Sequence, residues 1–227
     1  MMELPDYWLR RPAMGIDGET RAEVDAWVAG LSGAGGNGWI DYGFRIPKWQ
    51  FLCYLADEHG VILHGTGDPE IAVFEPRAAN DLNEFGAQTA VYAAGDGLWA
   101  MFFAIVDRTR YALATSNACI RLVDEAGAAS EPRYVFAISR LALVQQPWRT
   151  GTVYLLPGAT FVQQPSLQFG AYEVRVPHLA SLVPVEPLAQ LEVAPKDFPF
   201  LADIRGFDDD RLAAYAQALQ TGAPLPE

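Results

Sequence analysis

Residues 89–107, TAVYAAGDGLWAMFFAIVD, place two periodicities back to back. TAVYAAGD reads as a short strand and a turn, and Asp96 stands where it can N-cap a helix beginning at Gly97. The next eleven residues, GLWAMFFAIVD, are apolar almost throughout. A helix without a polar face must be buried, so this segment is expected at the centre of the molecule.

Upstream, TRAEVDAWVAGLSGAGG opens with Thr20 and Glu23 in capping-box spacing and carries Val24, Trp27, Val28 and Leu31 on one helical stripe. IPKWQFLCYLADEHG starts a second helix with Pro47 in its first turn, presents Trp49, Leu52, Cys53 and Ala56 on one face, and stops at Gly60. The strand VILHG comes directly after it. From Thr66 to Gln88 a polar, Pro-containing stretch reads as a long ordered loop anchored by Ile71, Val73, Phe74 and Phe85. Loops of that length inside compact domains commonly bind ligands or act as lids.

Beyond Asp107 the pattern changes to short β-rich segments: RYVFAIS, GTVYLLPG, ATFVQQ, YEVRV and PLAQLEV. In residues 172–176, Tyr172, Val174 and Val176 alternate with Glu173 and Arg175. The C-terminal DDDRLAAYAQALQTG reads as a helix capped by Asp208, with Leu212, Tyr215, Ala216 and Leu219 facing inward. The expected class is therefore α+β, with N-terminal helices first, a mostly antiparallel sheet later and a helix at the end. A length of 227 residues predicts one compact unit, with residues 1–45 as a helical extension packed on a core formed by 46–227.

At 51% hydrophobic and 19% charged, the chain has enough apolar material to repay the entropy of folding. Sixteen basic against 28 acidic side chains leave a formal charge of −12, which repels polyanions at long range, so nucleic acid is not expected as a partner. No apolar run reaches the ~18 residues a membrane span needs, so no membrane partner is expected either. The opening MMELPDYWLRRPAMGI lacks the apolar core of a secretory signal, which points to the cytoplasm, where Cys53 and Cys119 are expected as buried thiols.

Chemical handles are few. Of the three histidines, His59 comes after Asp57 and Glu58 at a helix end and reads as structural. His59 and His64 have no useful metal spacing and no zinc-type cysteine pairs occur, so no metal is expected. GAGGNG has no following lysine, and G-x-S-x-G is absent. What remains is His64-Gly65-Thr66, together with Tyr92.

A strand carrying His-Gly-Thr, a loop, and a strand whose tyrosine runs straight into an apolar helix resemble the ADP-ribosyltransferase-like fold, in its diphtheria-toxin and poly(ADP-ribose) polymerase branch. There the motifs are His-Gly-Ser/Thr and a tyrosine as in GIYFA; here they are LHGT and AVYAA. The resemblance implies a split β-sheet core and NAD as the substrate, with ADP-ribose passed to a protein or small acceptor. It implies that His64 hydrogen-bonds a ribose hydroxyl, that the Gly65 backbone holds the nicotinamide amide beside Thr66, and that Tyr92 stacks on the nicotinamide ring. So sparse a site is chemically sufficient, because nicotinamide in NAD is a cationic leaving group and the enzyme mainly supports an oxocarbenium-like sugar. An aromatic face on the pyridinium contributes about 0.5–2 kcal/mol.

The family's third position is a glutamate at the start of a late strand. Here the favoured register puts His178 or a neighbour there, Glu186 comes next, and Glu173 and Gln190 are further candidates. Without a carboxylate, NAD binding or slow transfer is expected in place of efficient turnover. Arg77, the one cation in that loop, is expected to anchor a diphosphate at the pocket rim, whereas Asn80 and Asp81 read first as turn residues. Two alternatives stand beside this: a non-catalytic module on the same scaffold that binds a basic protein, and a relative of the tRNA 2′-phosphotransferases, which requires an Arg/Lys cluster beside His64.

Overall fold

The structure, a computed structural model, describes residues 4–31, 38–78, 84–124, 126–169 and 172–226. Its elements run in the order β1 (Leu9–Arg10), α1 (Gly18–Leu31), β2 (Gly38–Trp39), α2 (Lys48–His59), β3 (Ile62–Thr66), β4 (Arg77–Ala78), β5 (Thr89–Ala94), α3 (Gly97–Ile105), β6 (Thr115–Val123) and β7 (Arg133–Ser139). The chain continues through α4 (Arg140–Val144), β8 (Gly151–Leu156), β9 (Val162–Gln163), β10 (Leu167–Phe169), β11 (Tyr172–Arg175), β12 (His178–Ser181), β13 (Ala189–Val193), β14 (Arg205–Phe207) and α5 (Leu212–Thr221). The molecule is α+β, its sheets antiparallel except where β2 joins β13 and β14 joins β7.

Local chemistry sets the helix ends. Asp96 caps α3 as its position predicts: the carboxylate accepts from the Trp99 amide at 2.9 Å and from the Tyr134 hydroxyl at 2.8 Å. Helix α2 starts after Pro47 and ends at Gly60, whose φ of 62° is left-handed, with the Val61 amide reaching back to the Leu55 carbonyl. At α1 the cap is Asp17 and not Thr20, because the Asp17 carboxylate accepts from the Thr20 amide at 2.8 Å, which puts Thr20 inside the first turn. The C-terminal helix begins only at Leu212, since Asp209–Arg211 form a 3-10 turn first; Asp208 instead pairs with Arg140 at 3.0 Å.

Two sheets flank α3. The eight-stranded one has the order β2-β13-β8-β3-β5-β12-β9, with β4 added beside β5; the six-stranded one runs β1-β7-β6-β11-β10, with β14 beside β7. Leu98, Met101, Phe102 and Ile105 of α3 have no exposed surface, and burying four such side chains contributes about 1.5–3 kcal/mol each. The core they join includes Leu63, Ala94, Val153 and Leu155 of the eight-stranded sheet and Phe136 and Ile138 of the other. Ile62, Val91, Ala93, Tyr154 and Leu156, the alternate residues of the same strands, form a separate cluster on the far face, under Phe74 and Val185. His59 is structural, its Nε2 lying 2.8 Å from Asp25, which joins α2 to α1. Among the described residues no helix is long and apolar enough to cross a membrane.

Candidate functional site

Strands β3 and β5 pair only at Leu63–Ala94. Beyond that point they part, and Ala90 and Thr89 of β5 pair with Arg77 and Ala78 of β4, respectively. Parting strands leave backbone carbonyls without partners, and a buried carbonyl left unpaired costs about 1–3 kcal/mol. His64 answers this need: its Nδ1 lies 2.6 Å from the Tyr92 carbonyl oxygen. A carbonyl only accepts, so Nδ1 carries the proton. Burial, the largest influence, holds the His64 pKa below its ordinary value, with Arg108 and Arg77 adding to the effect, so the ring is neutral and Nε2 is an acceptor.

The same register settles where the rings point. Alternation puts Gly65, Tyr92, Ala94 and His178 toward α3, and His64 on the other face, where it packs on Phe74 at a centroid distance of 4.7 Å. His64 and Tyr92 therefore do not face each other. Both residues nevertheless line one cavity of about 820 Å³.

Gly65 is required by the packing itself. A Cβ there would lie 1.8 Å from the Ala100 carbonyl oxygen, so the glycine is needed for the close approach of α3. Gly151 on β8 does the same against Ala104. Thr66 lines the cavity and turns its hydroxyl to the Asp68 amide at 3.2 Å.

Tyr92 is held by its hydroxyl, which lies 3.0 Å from the carbonyl oxygens of Phe85 and Gln88. His178 opens β12 opposite Ala94, with its ring 5.1 Å from Tyr92, 5.3 Å from Phe85 and 5.7 Å from Trp99. Its Nδ1 is 3.0 Å from the amide of Gln164, a buried residue that also lines the cavity.

The remaining candidates lie elsewhere. Glu186 is exposed, one residue past the Val185 bridge to Phe74 on the far face of the sheet, and does not line the cavity. Glu173 is exposed on β11. Gln190 is buried on β13, outside the cavity, with no partner for its side-chain amide oxygen Oε1. Arg77 is exposed on the short edge strand β4 and does not line the cavity either; Asn80 and Asp81 fall outside the described residues.

Sequence reasoning passed over Arg108, Arg149, Trp99 and Gln164, all of which line the cavity. Trp99 alone left a signal, as a bulky aromatic one turn into the apolar helix. Among the described residues no Asp or Glu lines the cavity, and no group of three or more His, Cys, Asp and Glu side chains could hold a metal ion. Compared with family models, with curated proteins and with solved structures, the chain matches none.

Proposed function

We propose that the protein binds NAD in the cavity at the gap between β3 and β5, in the manner of ADP-ribosyltransferase-like proteins. The observation that carries this is the shared opening. His64, with Nε2 as an acceptor for a ribose hydroxyl, lines the same cavity as the aromatic wall of Tyr92, Trp99 and Phe103. A volume of about 820 Å³ falls within the range that accommodates cofactor-sized ligands. Stacking then falls to Tyr92 and its aromatic neighbours on the α3 side, and the polar contact to His64 at the gap.

In this reading His178, with Gln164 beside it, takes the third position, where the family has a carboxylate. Neither carries a negative charge, so the electrostatic stabilisation of an oxocarbenium-like sugar is absent and transfer of ADP-ribose is slow relative to binding. Isothermal titration tests this reading: NAD is expected to bind the native chain, and His64→Ala to weaken it about ten-fold, the loss of one buried hydrogen bond. No heat of binding from the native protein overturns the proposal.

A second reading, phosphotransfer from a 2′-phosphorylated RNA, is favoured by Arg108 and Arg149 in the same cavity. The net charge of −12 opposes it. Consumption of a 2′-phosphorylated oligonucleotide with NAD, compared with NAD binding alone, separates the two.

A further inference from the structure

The cavity has the opposite charge to the molecule around it. The chain carries 28 acidic and 16 basic side chains, yet the charged residues lining the cavity, among those described, are Arg108 and Arg149, with no Asp or Glu. A cavity lined in this way repels cations and attracts an anion over the last few ångströms, whatever the long-range field.

The two arginines are held differently. Arg149 is fixed: its Nε donates to the Ala104 carbonyl at 3.2 Å, Nη1 donates to the Thr109 hydroxyl at 3.3 Å, and Asp107 lies 3.9 Å away. Its guanidinium crosses Gly67, where a Cβ would meet Cζ at 1.8 Å, so it sits directly after the His-Gly-Thr strand. Arg108 is held over the Phe103 ring, its Cζ 5.3 Å from the centroid. No carboxylate among the described residues pairs with Arg108; in the neighbouring Asp107, Oδ1 accepts from the Thr109 and Arg110 amides and Oδ2 lies 3.9 Å from the Arg110 guanidinium. Arg108 is exposed where it lines the cavity; partial desolvation and then the neighbouring Arg149 push its pKa down. Two like charges placed together, one of them without a carboxylate partner among the described residues, suit an acceptor with several oxygens.

We infer that Arg108, supported by Arg149, is the anchor for a diphosphate ester in this cavity, in the role the sequence assigns to Arg77. Planar guanidinium forks bind phosphate oxygens in pairs and bring charge and orientation together. Arg108 and His64 line the same cavity, so a diphosphate anchored at Arg108 can present its attached ribose to the imidazole. The inference rests on the NAD reading for the identity of the dinucleotide, and on the cavity alone for the anion site.

The test titrates inorganic pyrophosphate, ADP-ribose and nicotinamide into the full chain and into Arg108→Ala, Arg108→Lys and Arg77→Ala. Pyrophosphate and ADP-ribose are expected to bind the native protein. Arg108→Ala is expected to weaken both about ten-fold or more, Arg108→Lys to recover part of that loss, and Arg77→Ala to change nothing. Nicotinamide, which has no phosphate, is expected to ignore all three substitutions. Absence of pyrophosphate binding, or unchanged ADP-ribose affinity in Arg108→Ala, overturns the anchor. If NAD binds and depends on His64 but not on Arg108, the anchor fails and the NAD reading stands. If pyrophosphate binding depends on Arg108 while NAD does not bind, the reverse holds.

Discussion

At His64 one imidazole serves both the fold and the site, and this fixes its charge. The Nδ1 proton is committed to the Tyr92 carbonyl, and burial holds the ring neutral. In the unfolded chain the same imidazole takes up a proton near its ordinary pKa of about 6.5. As pH falls through that value the unfolded state gains a proton that the folded state refuses. Stability is therefore complete above about 6.5 and is lost as pH falls, levelling only below the depressed folded pKa. His64→Gln keeps an N–H for the Tyr92 carbonyl and removes the titration. Denaturant midpoints near pH 7 and pH 5 are expected to fall further for the native chain than for this variant. Equal losses contradict a neutral, buried His64. The importance of this residue was legible in the sequence because a polar ring at the end of an apolar strand is costly without a purpose; its partner was not, because a backbone carbonyl leaves no trace in residue identity. The arginines were missed for a related reason, since Arg108 and Arg149 are far apart in sequence and meet only where the chain leaves α3 and enters β8.

Helix α3 is the element on which the rest is assembled, and it was legible because its apolar run and the Asp96 cap agree. Strand β6 was not. Its burial shows no two-residue alternation, because Cys119 joins the core around α3 while Ile120 packs with Tyr215 and Leu219 of α5 on the other face, so neither face is uniformly wet. Strand β12, four residues long, is too short to carry a period. At Gly65 the backbone of α3 occupies the space a side chain would need, a packing demand that the sequence does not reveal. Gly65→Ala must push α3 away from β3 along the wall of the cavity, and overpacking against backbone gives little room for relaxation. A destabilisation of about 3 kcal/mol is expected, at the upper end for an added methyl group, read from the urea midpoint. A variant as stable as the native chain shows that α3 and β3 are not in such close contact.

Charge acts at the scale of the whole molecule, where two influences on an anionic ligand oppose each other. A chain of this length has a radius of gyration of about 17 Å. At about 0.01 M salt the screening length of about 30 Å exceeds that size, so a phosphate ligand meets the full repulsion of a charge of −12. At about 0.1 M the length is about 10 Å, and the distant acids drop out while Arg108, Arg149 and the nearby Asp107 remain. Added salt therefore first relieves repulsion and only later weakens the local attraction. ADP-ribose affinity is expected to hold or rise from about 0.01 to 0.1 M and to fall from there to about 0.5 M, whereas Arg108→Ala keeps the first phase and loses most of the second. A steady decline from the lowest salt is the behaviour of a basic surface. Finding it here shows that ligands dock on some other part of the molecule, away from the field of its acids.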